Sequence, residues 1–191
     1  MTNKQRILEA ASQMLLEKGI EGLSVRAISH KAGLSTIAIY SHFKGKQGVL
    51  DSLYIEGFGL VRDAMESVAH INDPAQAVIA GSEKYLDIAR DNEGHYRLIF
   101  GETGSSYQPS DDAAKASKEA FSTLVRGVAR LLPPRASEAA RQRAALRIWA
   151  VLHGYVSLRH HLIGPVLDYA QWHAMAMDAV SSSVKQIADK S

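Results

Sequence analysis

Ser24, Arg26, Ser35, Thr36, Tyr40, Ser41, His42, Lys44 and Lys46 lie close together and offer hydroxyl, guanidinium, imidazole and ammonium groups. Small polar groups at a helix N-terminus fit the major groove of a duplex, while Tyr, His and Lys side chains reach the flanking phosphates. Ile37 and Ala38 add methyl groups of the kind that meet thymine. Residues 35–43 lack an Arg, Asn or Gln for bidentate base reading. Readout would therefore rest on hydroxyls, on Ile37 and Ala38, and on Arg26. Each group also has a plainer use. Ser24 and Ser35 are good helix caps, and Tyr40 can be a half-buried core residue.

The elements that must hold these groups are legible in the spacing. Ser24 caps a short helix that Gly33 stops, and a glycine there supplies the positive φ needed to fold two helices across one another. Ser35 caps the next helix, which runs to about Phe43. Ala27, Ile28 and Ala32 face inward from the former, Ile39 and Phe43 from the latter. Upstream, Thr2 with Gln5 three residues on makes a capping box. Ile7, Leu8, Ala11, Met14 and Leu15 form the buried stripe of that first helix, and Gly19 ends it. The Lys44-Gly45-Lys46 turn opens a fourth, longer helix through Val49, Leu50, Leu53, Tyr54, Phe58 and Val61.

These residues resemble the TetR family of one-component regulators. The resemblance is carried by Ile7-Leu8-Glu9-Ala10-Ala11, Gly19, Ser24, Ile28, Ala32-Gly33-Leu34-Ser35, Ile39-Tyr40, His42-Phe43, Lys46 and Leu50, and covers residues 4–54. It implies that Tyr40, His42 and Lys46 meet phosphates and that Ser35, Thr36, Ile37 and Ala38 lie near bases. Arg26 matches a position that reaches a base edge or a phosphate. It implies, too, a homodimer on a pseudo-palindromic double-stranded DNA operator, acting as a repressor that a small molecule releases.

Downstream the helical period continues and no alternating strand appears. Asp73-Pro74 starts a fifth helix to about Arg90, and a short sixth carries His95 to Phe100. Residues 101–111 read as a polar loop. Asp111 is expected to cap a seventh helix reaching Leu132. Ser137 and Glu138 start an eighth that runs to Ile163, and a ninth follows the Gly164-Pro165 break to about Ala188. The expected fold class is all-α with about nine helices. A three-helix helix-turn-helix head occupies residues 1–50, and an effector-binding and dimerisation body occupies residues 51–191.

Trp149-Ala-Val-Leu-His153-Gly154 resembles a Trp-x-x-x-His-Gly pattern of one branch of the family. Trp149 and His153 share a helical face. They are either core residues, with Gly154 letting a neighbouring helix close in, or pocket residues with His153 bonding a ligand. Tyr85, Ile88, Ala89, Tyr96, Phe100, Leu124, Val128, Trp149 and Leu152 are candidate pocket walls, with Arg97, His153 and Tyr155 as polar anchors. An apolar cavity with a few polar groups suits a moderately hydrophobic effector, although the same side chains can simply fill a core. The eighth helix and an apolar stripe on the ninth (Trp172, Met175, Ala176, Ala179, Val180 and Ile187) are expected to pair with their copies in a four-helix bundle about a twofold axis.

Composition narrows the alternatives. At 191 residues, 46% hydrophobic and 22% charged, the chain can bury a real core without staples. It has no cysteine, so disulfides, thiolate metal sites and cysteine nucleophiles are excluded. Residues 1–50 hold seven Lys and Arg against three carboxylates, a net +4, and the remaining 141 residues hold fifteen against seventeen, a net −2. A basic head on a slightly acidic body suits a phosphate-facing module. His153 lies seven and eight residues from His160 and His161, about 11 Å along a helix and too far for one ion, so no metal is expected. No Gly-x-Ser-x-Gly, Walker or His-Glu-x-x-His signature is present, so neither enzyme nor cofactor is expected. No signal peptide and no apolar run of ~20 residues is seen, so a cytoplasmic protein without a membrane span is expected. The rival from another class is a helical binding or scaffolding protein with a vestigial helix-turn-helix.

Overall fold

Thr2 opens the first helix, α1 (Asn3–Lys18): its hydroxyl accepts from the Gln5 amide at 3.2 Å, and the Gln5 side chain accepts from the Thr2 amide at 2.8 Å. Both bonds satisfy amides that the helix itself leaves without partners. A single 3-10 turn (Ile20–Gly22) then leads into α2 (Val25–Ala32), α3 (Thr36–Phe43) and α4 (Lys46–Ser67). The chain continues as α5 (Pro74–Asp91), α6 (Glu93–Ile99), α7 (Asp111–Ala129), α8 (Glu138–Leu158) and α9 (Tyr169–Ala188). This computed structural model describes residues 1–101, 107–160 and 167–189, and among them it contains nine α-helices and no strand.

The elements fall close to where the sequence puts them, with corrections at their ends. Ser110 rather than Asp111 caps α7: its hydroxyl accepts from the Ala113 amide at 3.3 Å and its carbonyl from the Ala114 amide at 2.8 Å. Asp111 and Asp112 sit inside the first turn, where carboxylates suit the positive end of the helix dipole. The same helix ends at Ala129, and residues 130–132 tighten into bonds three residues apart. α6 starts at Glu93, directly after α5 ends at Asp91, so the break between them is narrower than expected. Past Leu158, Arg159 and His160 widen into a π turn, and residues 161–163 of the expected α8, the Gly164-Pro165 break, and Glu102–Ser106 of the polar loop lie outside the described residues.

The chain packs as two compact units: Met1–Leu60 with Asp91–Lys118, and Val61–Arg90 with Glu119–Ser191. In the first, Ile7, Leu15, Ile20, Ile28, Ile39, Val49 and Leu53 form one buried cluster, and Leu98 of α6 belongs to it. The backbones of α6 and α1 touch. A Cβ placed on Gly94 would lie 2.6 Å from the Ser12 carbonyl oxygen, so only glycine allows this approach. His95 extends the join, with Nδ1 3.4 Å from Ser12 Oγ and Nε2 3.3 Å from a Glu56 carboxylate oxygen on α4.

In the second unit α8 and α9 pack on one another. Ile148, Leu152 and Val156 are buried on α8, and Trp172, Ala176, Val180 and Val184 on α9. The Trp172 indole donates to the Tyr155 carbonyl at 3.1 Å, and Arg147 bonds Gln186. Arg130 donates to the carbonyls of Ile71 at 2.6 Å and Asn72 at 3.0 Å, tying down the chain between α4 and α5. Gly154 differs from the close-packing expectation. A Cβ there meets nothing within 4 Å among the described residues, so none of the described helices leans on it.

Candidate nucleic-acid interface

The geometry of residues 24–46 follows from two caps and a turn. Ser24 accepts from the Ala27 amide at 3.1 Å and Ser35 from the Ala38 amide at 3.4 Å, so both serines fill the capping role. Between them Gly33 takes the left-handed conformation (φ 63°, ψ 39°). Its amide reaches the His30 carbonyl at 3.1 Å and the Leu34 amide the Ser29 carbonyl at 2.9 Å, a Schellman closure of α2.

On α3, Ile39 and Phe43 are one turn apart and buried at 0% and 5% exposure. The opposite side is bare. Ile37 is 76% exposed and Tyr40 58%, with Ser41 and His42 also exposed and Thr36 and Ala38 half-buried. Tyr40 is therefore not a core residue. Lys44 ends the helix in the left-handed region (φ 61°), the one non-glycine residue with positive φ among those described. That conformation costs a side-chain-bearing residue about 1 kcal/mol or more.

Several of the head's cations are engaged internally, which the charge count could not reveal. Lys31 pairs with Glu17 at 2.6 Å, Lys4 lies 5.9 Å over the Phe43 ring, and Lys46 Nζ donates to the Ile20 carbonyl at 2.9 Å. Arg6 donates to the Ala32 carbonyl at 2.7 Å and the Gly33 carbonyl at 3.4 Å. Arg26 and Lys44 are exposed, and neither side chain has a partner among the described residues. Lys46 keeps two ammonium protons beyond its bond to Ile20.

Sequence reasoning passed over three attachments in this unit. Arg6 sits next to Ile7 in an amphipathic stripe and gave no sign of its partner 26 residues away. Tyr107 donates to an Asp51 carboxylate oxygen at 2.7 Å, the Ser110 amide and Gln47 donate to the same oxygen, and the Tyr107 ring stacks near Tyr54. The one aromatic in a polar loop was the available signal. Burial and the Asp51 carboxylate push the Tyr107 phenol well above its ordinary pKa. His95, the third, holds the Glu56 carboxyl below the usual carboxylate range by hydrogen bonding to it.

Of the twelve effector-site candidates, Ile88 and Ala89 lie on α5 in the second unit, and the other ten divide between the units. Tyr96, Arg97 and Phe100 belong to the first, where Tyr96 is 1% exposed, its ring lies 4.6 Å from Phe100, and Arg97 pairs with Glu93. Tyr85, Leu124, Val128, Trp149, Leu152, His153 and Tyr155 belong to the second. There the Trp149 indole donates to the Tyr85 hydroxyl at 3.3 Å and stacks at 5.8 Å from Phe121, while Tyr85, Val128 and Leu152 are buried. A cleft of about 620 Å³ beside α1 is lined by Leu8, Glu9, Ser12, Leu16, Glu56 and His95 among others, and by none of the ten. Among the described residues no cluster of three or more metal-binding side chains occurs, and no helix is long and apolar enough to cross a membrane.

Known proteins carry the same pattern. Residues 7–53 match the family model for bacterial regulatory proteins of the tetR family, and residues 78–179 match that for a tetracyclin repressor-like C-terminal domain. The chain is 25% identical over 97 residues to the uncharacterized HTH-type transcriptional regulator YobS of Bacillus subtilis (strain 168), covering 51% of each. It is 37% identical over 54 residues to the class D tetracycline repressor protein of Escherichia coli, covering 28% of this chain and 25% of that protein. The aligned stretches thus span about half of the first relative and a quarter of the second. A bacterial regulatory protein in the tetR family from Rhodococcus RHA1 shares the fold, with a TM-score of 0.74 at 19% identity over 98% of this chain and 97% of that one. Since α2 and α3 fall within one match and most of the helical body within the other, the chain belongs to the TetR family of bacterial regulatory proteins.

Proposed function

We propose that this chain is a cytoplasmic, homodimeric transcriptional repressor with a DNA-binding head over residues 1–50 and an effector-binding and dimerisation body over residues 51–191. Each copy lays residues 35–42 into a major groove of a pseudo-palindromic operator. Ser35, Thr36, Ile37 and Ala38 face bases, while Tyr40, His42, Lys44 and Lys46 meet phosphates, with Ser24, Arg26 and Ser41 at the margins. The observation that carries this reading is the bare side of α3, above all Ile37 at 76% exposure. Covering an aliphatic side chain of that size gains about 2 kcal/mol, and a groove floor of thymine methyls would cover it.

The test is direct. Duplexes selected by the full chain from a randomised library should share a palindrome, and log Kd should vary steeply with log salt. A scaffold with a vestigial motif would select nothing and show no such slope. Binding, not catalysis, is the expected activity, with no cofactor.

Dimerisation through α8 and α9 is supported by a surface that the described residues leave open. Leu146, Ala150, Gly154 and Leu158 recur every fourth residue on α8, with Leu146 47% and Leu158 46% exposed and open space beside Gly154. Met175 on α9 is 50% exposed. A helix from a second copy can approach closely at Ala150 and Gly154 and cover the two leucines. Gly154→Arg should give a monomer by sedimentation, and an unchanged dimer would place the interface elsewhere.

The effector reading narrows to the second unit. Tyr85, Leu124, Val128, Trp149, Leu152, His153 and Tyr155 supply aromatic and aliphatic walls with a few polar groups, the usual make-up of a small-molecule site. A moderately hydrophobic ligand bound there releases the operator only through unequal affinity for the two states of the protein. A tenfold release corresponds to about 1.4 kcal/mol of coupling.

A further inference from the structure

The carbonyl groups at the turn between α2 and α3 are not all satisfied by the Schellman closure. Gly33 and Leu34 use their amides on His30 and Ser29, and among the described residues no backbone amide reaches the carbonyls of Ala32 or Gly33. Arg6 reaches both. Its Nη2 lies 2.7 Å from Ala32 O and 3.4 Å from Gly33 O, and 3.0 Å from where a Cβ on Gly33 would stand. The guanidinium arrives from α1, which packs against both α2 and α3 and whose Ile7, next to Arg6, is fully buried. The last carbonyls of a helix carry its negative dipole end, so a cation there is doubly suited.

We propose that Arg6 is a positioning residue for sequence readout: it clamps the turn to α1 and thereby fixes the angle at which α3 is offered to DNA. The proposal rests on the DNA-binding reading of α3. Arg6 touches no base in this scheme and contributes to operator preference only through the turn. Both contacts come from the one nitrogen Nη2, whose two hydrogens serve two successive carbonyls, and a lysine would bring its charge to the same place on a stem without the planar group that fixes the direction of those hydrogens.

The experiment uses the full chain with two probes, a duplex selected by the wild-type protein from a randomised library and a scrambled duplex of equal length. Arg6→Gln should bind the selected duplex about tenfold more weakly, the effect of losing one charge-assisted hydrogen bond, and the scrambled duplex almost as well as wild type. The salt slope should be unchanged, and Arg6→Lys should recover part of the preference. A slope lowered by about 0.9 on both duplexes would make Arg6 a phosphate contact and overturn the proposal. Unchanged preference would overturn it as well. Amide exchange gives a readout independent of DNA. Folded Arg6→Gln should lose protection at Gly33 and Leu34 while the amides of α4 keep theirs, with Arg6→Lys in between, and full protection at the turn in Arg6→Gln refutes the clamp. A wild-type chain that selects no duplex would sink the DNA-binding reading itself, and the exchange measurement would still decide whether Arg6 holds the turn.

Discussion

Two helical glycines in the first unit make a controlled comparison. Gly59 lies inside α4 with nothing within 4 Å of a prospective Cβ, whereas Gly94 lies in α6 with the Ser12 carbonyl oxygen at 2.6 Å from that point. Alanine at either site gains about 1 kcal/mol of intrinsic helix preference over glycine. At Gly59 nothing opposes that gain, so Gly59→Ala should raise stability by about 0.5–1 kcal/mol. At Gly94 the methyl must push a backbone oxygen away by several tenths of an ångström, and both helices are anchored by buried residues, Met14 and Leu15 on one side and Leu98 and Ile99 on the other. Overpacking of this kind costs about 1–3 kcal/mol, which outweighs the helix gain. The two variants should therefore differ by about 2 kcal/mol, or about 4–8 °C in Tm for a chain of this size. Thermal unfolding followed by circular dichroism measures the difference. Gly94→Ala melting at or above Gly59→Ala would mean that α6 does not lie against α1 as described, and the account of the first unit would fail with it.

Other expectations follow from single contacts. Lys46→Ala should weaken binding to every duplex and flatten the salt slope by about 0.9, and should also lower Tm because the Ile20 carbonyl loses its donor. Glu56 has its pKa depressed in the folded state, so its contribution is present above the ordinary carboxylate range and lost as pH falls through the folded value. Glu56→Gln should accordingly show a shallower loss of stability than wild type as pH falls through and below the ordinary carboxylate range, and parallel acid titrations would exclude the His95 contact. Tyr107 has its pKa raised, so its contribution is whole below about pH 10 and lost as pH rises beyond. A spectroscopic titration in which all seven tyrosines ionise together near that pH would contradict its bond to Asp51.

What could be read from the sequence was local. Thr2, Ser24, Ser35 and Ser137 each sit a fixed step before a helix whose apolar period is plain, and each caps it. Gly33 marks a turn that needs positive φ. Ser110 and Asp111 are adjacent residues of equal capping talent, so nothing local could choose between them. The contacts that complete the head's surroundings join residues far apart in the chain. Arg6 meets Ala32 across 26 positions, Asp51 meets Tyr107 across 56 and Ser12 meets His95 across 83. No period or cap encodes such pairs, because they depend on how whole helices are laid together. The candidate DNA-facing residues were legible as types, while the internal engagement of Lys4, Lys31 and Lys46 was not, since charge counting treats every ammonium alike.

The place of α6 bears on how this regulator could be rebuilt. Leu98 completes the cluster around Ile7, Ile28 and Ile39, and Gly94 and His95 lie on α1, so the unit that presents α3 is drawn from two stretches of chain. A chimera that grafts residues 1–50 onto a foreign body would carry the DNA-facing side chains but leave behind part of their hydrophobic floor. Exchange of specificity between relatives should succeed when the graft also carries residues 91–118, or when only the exposed face of α3 is rewritten. The smallest portable reading head is thus a discontinuous one, and a permuted chain that joins its two stretches through a short linker would be the form in which to isolate it.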